Sequence, residues 1–394
     1  MNKTKALGNS AIVLYFIIGL EIMIMISPFA GFFYSVFNPF LLTIAKYPAT
    51  RWLGSFFLPH MVVPPDDLLK FVRVMGSVLF VLGIAIFFIC AIQVYASKFL
   101  KKGTVLRGLY SVIRHPQYLG LGVAGLGLSV LWPRFLVPVL WLVMILLYYF
   151  LAKDEEGRML RQYPDTYGDY MKKTGMFLPA SLERILLPAG ALAKSAVFGL
   201  IVALTIEGAF FLRHYTVTHL PLWGNAQVAA LPIDSGDLMK LKHRMPEILQ
   251  LPEVRSRLSE GEHYLVYFLP PNYIMQGLIA DTGSDWKLYK HHHTVGMITD
   301  WIFHPFRHLT EGHHAMMHGA AGHPGQEMHA GVVRRLIFLK IEDTPTEAPY
   351  DLLSIGAKRT PQFMVDIEVH NMTLLSLKDL PKETGWGTVP TPVF

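Results

Sequence analysis

Long apolar runs constrain this chain more than any other feature of its sequence. Runs at about 11–36, 74–96 and 195–212 are long enough to cross a bilayer, because a spanning helix needs about 20 mostly apolar residues. The segment 117–152 is longer still, and Trp132-Pro133-Arg134 interrupts it, so it predicts two helices joined by a tight turn. We therefore predict an α-helical integral membrane domain with about five transmembrane helices.

The first run has a second interpretation. Lys3 and Lys5 precede an apolar stretch over 11–27, as in a secretory signal peptide. Its length, the presence of Glu21 and the lack of a small-x-small cleavage site favour an uncleaved helix. Glu21 is either a functional intramembrane carboxylate or a protonated group bonded to a neighbouring helix. Glu207 lies toward the outer end of its span, which favours the structural role.

The distribution of Lys and Arg predicts the orientation of the chain. If the N-terminus is cytoplasmic, the inner segments 1–10, 97–116 and 153–194 hold 14 of these residues, against 6 in the outer segments up to Arg213. Cytoplasmic loops carry such an excess. We expect a protein of the cell inner membrane in which residues 97–116 and 153–194 face the cytoplasm and residues 214–394 are extracytoplasmic.

The charge divides at the same boundary. Residues 1–213 carry 20 basic and 10 acidic side chains, net +10, and residues 214–394 carry 15 and 19, net −4. The basic excess therefore belongs to the inner membrane face, where it meets anionic lipid headgroups. We predict membrane lipids as partners and no nucleic acid. The one cysteine, Cys90, lies in the second span, so the C-terminal domain has no disulfide.

Polar residues stand at both feet of the interrupted hairpin. Arg114-His115-Pro116-Gln117-Tyr118-Leu119-Gly120 precedes it, and Asp154-Glu155-Glu156 follows it. Pro116 is expected to open a helix, whose N-terminus suits a carboxylate or phosphate. Charges near lipid are costly unless something binds them. The arrangement predicts a polar ligand site at the membrane surface, although each charge alone is also typical of a membrane edge.

Two local patterns refine this hypothesis. Glu155 and Glu156 are neighbours on a helix and point about 100° apart, so at most one is expected to face a ligand from a given direction. The spacing Gly120-x-Gly122-x-x-Gly125 matches a dinucleotide fingerprint, but that motif requires a preceding strand. Here it lies in an apolar helix, where glycines, including Gly127, permit close approach of another helix or a flat ligand.

The motifs together resemble a known family. Arg114-His115-Pro116-x-Tyr118-x-Gly120 is followed by Glu155-Glu156 and Tyr167-x-x-Tyr170, and it is preceded by Gly108-Leu109-Tyr110. This combination resembles the integral-membrane methyltransferases that include isoprenylcysteine carboxyl methyltransferase and the phospholipid N-methyltransferases. The resemblance covers roughly residues 75–180. The chain departs from the family pattern at Tyr163-Pro164, where Phe-Gly is usual, and at Met159, where leucine is usual.

The resemblance implies S-adenosylmethionine as methyl donor, bound at the cytoplasmic side, and a lipophilic or lipid-linked acceptor. It implies a cofactor site formed by Tyr110, His115, Pro116, Tyr118, Gly120 and Tyr167. Glu155 or Glu156 would anchor a polar part of the cofactor or shape the reaction centre, and Arg114 would hold the motif together or neutralise an anion. A carboxylate acceptor needs only orientation by a cation, whereas an amine needs a general base. The sequence leaves carboxylate, amine and thiol acceptors open.

Residues 214–394 form a second predicted domain. Its β-rich runs at 263–268, 332–341 and 363–369 predict an extramembrane accessory domain of mixed or mostly β structure.

Histidine distinguishes this domain. Ten of the 17 histidines fall between His291 and His329, and His304/His308 and His314/His318 are spaced i,i+4. Interleaved methionines favour copper, with zinc also possible. The glycine-rich stretch 312–331 instead suits a loop that merely tolerates histidine. The alternative function is thus a membrane-anchored metal-binding or sensing protein that keeps the methyltransferase scaffold without its chemistry.

Overall fold

A computed structural model describes residues 47–59, 66–100, 105–186, 190–271, 333–342, 352–355 and 357–382, with isolated positions between 273 and 282. The predicted first span at 11–36, with Glu21, lies outside the described residues. So does the histidine-rich segment 291–329. The chain divides into two units. The second unit contains Phe210–Phe394 together with Pro133–Phe135 and the described residues of Phe40–Val74.

The first unit is helical. Among the described residues, three helices are long and apolar enough to cross a membrane, and a shorter apolar helix precedes the second of them. The long helices are α2, Asp67–Phe99; α4, Leu136–Gln162; and α7, Ala191–His219. The shorter helix is α3, Pro116–Leu131. Two shorter helices follow α4 in this unit, α5, Pro164–Lys173, and α6, Ala180–Leu186, whereas α1, Pro48–Arg51, belongs to the second unit.

The helical hairpin has the predicted break. Helix α3 ends at Leu131 and α4 begins at Leu136, so Trp132-Pro133-Arg134 lies between the two helices. Pro116 occupies the first turn of α3, as expected for a proline that has no N–H to donate. The residue before it, His115, has φ −124° and ψ 59°, outside the helical region that a following proline disfavours.

Glycines bring α2 and α3 into backbone contact. A Cβ on Gly83 would lie 2.3 Å from the Ala124 nitrogen, and a Cβ on Gly127 would lie 2.4 Å from the Phe80 nitrogen. On Gly120 it would lie 2.8 Å from the Gly83 carbonyl oxygen. Small residues permit this approach, which increases van der Waals packing in a membrane where lipid competes for apolar contact. Of the glycines with the fingerprint spacing, Gly120 packs against α2, and a Cβ on Gly125 would lie 2.6 Å from the Met144 side chain of α4, so helix packing accounts for these two.

The second unit contains a six-stranded mixed sheet in sequential order. Strands β2 and β3 are parallel, and every other neighbouring pair is antiparallel. The strands are β1, Trp223–Gly224; β2, Val228–Pro232; β3, His263–Leu269; β4, Val333–Glu342; β5, Lys358–Glu368; and β6, Thr373–Asp379. The three predicted β-rich runs are confirmed as β3, β4 and β5.

Both faces of the central strands are buried. Helix α8, Leu238–Ile248, covers one face through Leu241 and Met245, and the short α9, Pro252–Arg255, adds Val254. Alternate residues of the same strands pack on the other face with Leu220, Leu352 and Leu353. Such two-sided burial explains why β3 is a continuous apolar run rather than an alternating one.

The close approach of α2 and α3 predicts that a larger residue at the contact lowers stability. We expect Gly83→Ala to lower the free energy of unfolding by about 1–3 kcal/mol, because the new methyl group overlaps backbone and cannot rotate away. Gly199→Ala in α7 is the matched control, since its Cβ would meet nothing within 4 Å. Thermal unfolding in detergent micelles measures both. Equal stability of the two variants would contradict the packing.

Candidate active site

The Arg-His-Pro motif is fixed by backbone pairing with the chain that follows α5. The Arg114 and His115 N–H groups donate to the carbonyl oxygens of Gly175 and Met176, at 2.8 and 3.0 Å. The Glu183 carboxylate in turn accepts from the N–H of Met176 at 2.5 Å. A Cβ on Gly175 would lie 1.9 Å from the Leu178 carbonyl oxygen, so this turn requires glycine. The motif is therefore held on a rigid backbone frame.

Arg114 ties the motif to α4 and α5. Its Nε donates to Glu156 Oε1 at 2.5 Å, and its Nη1 donates to the carbonyl oxygens of Met171, at 3.2 Å, and Thr174. The side chains of Arg114 and Glu156 are only 7% and 8% exposed. An ion pair at this depth stabilises the site only because further hydrogen bonds satisfy the guanidinium. Of the two predicted roles of Arg114, these contacts fit the one of holding the motif together.

His115 lies between the two carboxylates. Its Nδ1 is 3.4 Å from Glu155 Oε2, and its Nε2 is 3.4 Å from Glu156 Oε1. The two glutamates point in different directions, as expected, yet both reach the ring because its nitrogens lie on different edges. Burial opposes protonation of the imidazole, but hydrogen bonds and charges from Glu155 and Glu156 outweigh it and raise the pKa of His115.

Tyr118 extends the cluster with an aromatic face and a hydroxyl. Its hydroxyl donates to Glu155 Oε1 at 2.5 Å. Its ring stacks on His115, with centroids 5.7 Å apart, and on Tyr148, with centroids 5.0 Å apart. Tyr118 is buried, whereas the Glu155 side chain is 39% exposed. Glu155 is thus the more accessible of the two carboxylates.

The other tyrosines of the predicted site surround the motif. The Tyr170 hydroxyl donates to the Tyr110 carbonyl oxygen at 2.6 Å, and the Tyr167 ring lies 5.6 Å from the Tyr170 ring. Tyr110 and Tyr167 are both buried. Burial raises the pKa of Tyr110 and of Tyr167, so both hydroxyls stay neutral near pH 7.

Buried polar atoms near the motif suit a polar ligand. Among the described residues, Gln93 Oε1 and the Tyr110 hydroxyl are buried and have no hydrogen-bond partner, and His115 Nε2 has only its long contact of 3.4 Å with Glu156. Unsatisfied buried groups are rare and costly in folded proteins. An amide oxygen, a hydroxyl and an imidazole nitrogen can bond the hydroxyls and amines of a nucleoside-like cofactor. The stacked rings offer it a flat apolar surface. These residues therefore fit the implied cofactor.

The structure brings most of the predicted site residues together. Contacts join Arg114, His115, Tyr118, Glu155 and Glu156, and Tyr110 and Tyr167 meet through Tyr170. Pro116 contributes by opening α3. Gly120 packs against the backbone of α2, so its role in cofactor binding stays a prediction.

Three residues near the site were not predicted. Tyr148 lies seven residues before Glu155, about two turns along the same helix, and this spacing is the signal that could have found it. Gln93 of α2 lies beside Gly108, and Glu183 of α6 accepts from the N–H of Met176, placements that no local sequence pattern predicts. The predicted metal ligands His304, His308, His314 and His318 lie outside the described residues. Within the described part of the chain, no three His, Cys, Asp or Glu residues are grouped to hold a metal ion.

The raised pKa of His115 predicts how stability depends on pH. The protonated imidazole contributes stability that is fully present below its unfolded pKa of about 6.5 and is lost as pH rises through the folded pKa. We expect the stability advantage of the wild type over His115→Asn to shrink across that range, by about 1.4 kcal/mol for each unit between the two pKa values. The exposed His243→Asn is the control. Parallel pH profiles of melting temperature for wild type and His115→Asn would contradict the geometry.

Comparison with known proteins identifies the hairpin region. Residues 71–166 match the family model described as phospholipid methyltransferase. The match includes the Arg-His-Pro motif, α3, α4 and the glutamate pair. No curated protein and no solved structure matches the chain. By this match and by its motifs, the segment 71–166 is similar to the phospholipid methyltransferase family.

Proposed function

We propose that this protein transfers a methyl group from S-adenosylmethionine to a lipophilic or lipid-linked acceptor at the cytoplasmic face of the membrane. The observation that carries the proposal is the buried cluster of Arg114, His115, Glu155 and Glu156 at the feet of apolar helices. The family match of the same segment supports methyl transfer as its chemistry. Inner-membrane location, sidedness and the division into a 1–213 transmembrane domain and a 214–394 extracytoplasmic accessory domain are parts of the proposal.

The electrostatics of the cluster suit a sulfonium. With His115 protonated, the four side chains carry two positive and two negative charges. When His115 is neutral, the net charge is −1, which attracts a cationic ligand in a site where burial weakens screening. The Glu155 carboxylate is the half-exposed member of the cluster. We assign it to a polar or positive group of the cofactor, and we assign Glu156 and Arg114 to holding His115 in place.

The chemistry of the transfer requires little more from the protein than placement. S-adenosylmethionine supplies the activated methyl group when it is bound. The residues of this chain bind it, orient it and keep water away. A carboxylate or thiolate acceptor would attack as the anion, and an amine acceptor would first lose a proton, for which Glu155, the more accessible carboxylate, is the available base. An isoprenylcysteine carboxylate and an aminophospholipid headgroup are the two acceptors that the resemblance suggests.

Glu155→Gln tests the cofactor assignment. The amide keeps the size of the side chain but removes the charge, so we expect affinity for S-adenosylmethionine to fall about tenfold to a hundredfold. Calorimetric titration of the purified protein measures the affinity. Transfer of label from the cofactor to a native lipid extract measures activity and identifies the acceptor.

Asp154→Asn is the matched control for this experiment. Asp154 pairs with Arg158 on the same helix, and both side chains are more than half exposed, at 66% and 59%. Loss of that pair is expected to change neither affinity nor labelling, because exposed ion pairs contribute little. If Glu155→Gln bound the cofactor as tightly as Asp154→Asn, the assignment would be wrong. If the wild type labelled no lipid and bound no cofactor, the scaffold would lack the chemistry, as in the metal-binding alternative.

A further inference from the structure

The second unit buries an arginine that no carboxylate balances among the described residues. Arg359 lies on β5 opposite Ile341 of β4, so its side chain shares the face that packs with Leu352 and Leu353. Arg359 is 7% exposed. Its Nη1 makes one long contact, 3.4 Å to the Ala357 carbonyl oxygen. Within the described chain, its Nε and Nη2 are buried without a hydrogen-bond partner.

Those two atoms form the edge of the guanidinium that binds oxyanions. The same sheet provides the comparison, because Arg335 uses Nε and Nη2 to bind the two oxygens of Asp366, each at 2.7 Å. Arg334 uses the same two atoms on Asp237, at 2.6 and 2.9 Å. Arg359 presents this two-donor edge to a place where the described residues supply no acceptor.

A second cation and a hydroxyl stand beside Arg359. Arg213 is fully buried and lies within electrostatic reach of Arg359, and the Tyr267 hydroxyl lies within reach of both. Arg213 donates to the carbonyl oxygens of Phe56, at 2.7 Å, and Leu353. The next residue, Ser354, has a buried hydroxyl that lacks a hydrogen-bond partner in the part of the chain described. Arg359 therefore has a second buried arginine within electrostatic reach, and the unbonded Ser354 hydroxyl belongs to the residue after one of the acceptors of Arg213.

Such a group of like charges is unfavourable without a counter-charge. A buried charge is costly unless it is paired and hydrogen-bonded, and two neighbouring arginines repel each other. An oxyanion relieves both costs, and arginine binds phosphate and carboxylate through two parallel N–H bonds. The open two-donor edge of Arg359 fits two oxygens of one oxyanion, and the positive charge of Arg213 adds attraction for an anion. We propose that Arg359, Arg213 and Ser354 bind a phosphate-class oxyanion in the second unit.

This chemistry has two sources, an inorganic phosphate ion or the phosphate of an anionic lipid headgroup. The first test uses the full-length protein in detergent without added lipid, titrated with sodium phosphate against sodium chloride of equal ionic strength. We expect phosphate to raise the melting temperature by at least about 2 °C at saturation, since a ligand of the folded state alone stabilises it. No difference between phosphate and chloride would leave only the lipid as the source.

The second test replaces the titration by nanodiscs of phosphatidylcholine with or without phosphatidylglycerol. If the lipid is the source, only the anionic nanodiscs raise the melting temperature. Failure of both the phosphate ion and the anionic lipid to stabilise the wild type would overturn the proposal. Because this readout requires no methyl transfer, its outcome is independent of the proposed enzyme activity.

Arg359→Met is the most decisive variant, because the proposal and its alternative predict opposite changes in melting temperature. If an oxyanion binds, the variant loses the phosphate or lipid effect and melts below the wild type in the presence of the ligand. If none binds, methionine removes a buried unpaired charge and the variant melts at or above the wild type in every buffer. That second result would overturn the proposal.

Two further variants complete the design. Arg244→Met, on a partly exposed arginine of the same unit, controls for general loss of positive charge, and it should keep the full phosphate effect. An equal effect in Arg244→Met and Arg359→Met would mean nonspecific stabilisation and would count against the site. Arg359→Lys keeps the charge without the fork. It should lower the phosphate affinity about tenfold, and it serves if Arg359→Met does not fold.

Discussion

The buried ion pair between Arg114 and Glu156 is the interaction on which the rest of the first unit's site depends. Arg114 stands before α3, Glu156 lies near the end of α4, and the other donors of the guanidinium hold the end of α5 and the residue after it. One side chain therefore joins three segments. Removing Glu156 would leave the buried Arg114 without its counter-charge, and loss of one partner of a buried pair costs about 3–5 kcal/mol. Arg114 holds the Glu156 carboxylate in position, and Glu156 and Glu155 together flank the His115 ring.

The helices supply the geometry that this pair requires. Glycines in α2 and α3 let the two backbones touch, and the turn at Trp132–Phe135 returns α4 antiparallel to α3. The residues that carry the charges consequently meet at one end of the hairpin, although 42 positions separate Arg114 from Glu156. Packing by small residues and pairing of buried charges thus determine different features of the site. The first sets the distance between helices, and the second sets which side chains face each other.

Much of this arrangement was predictable because its signals are local. Hydrophobic length predicted α2, α4 and α7, Pro116 predicted the start of α3, and β-rich runs predicted three strands. The resemblance predicted which polar residues would meet. The sequence could not indicate that both carboxylates would contact His115. That outcome depends on how the imidazole ring is oriented between Glu155 and Glu156. It also could not indicate the hydrogen bond of Glu183 to the N–H of Met176, or the burial of Gln93 Oε1 and Arg359, because these depend on how separate segments pack.

The central claim is that the cluster around His115 holds the methyl donor. Photochemical cross-linking of labelled S-adenosylmethionine to the full-length protein, followed by mass spectrometry of the labelled peptides, tests it most directly. The account predicts label in the peptides that contain Tyr110 to Tyr118 or Tyr148 to Tyr167, and competition by unlabelled cofactor. Competable label confined to residues 214–394 would contradict it, because the cofactor would then bind in the unit that contains the sheet.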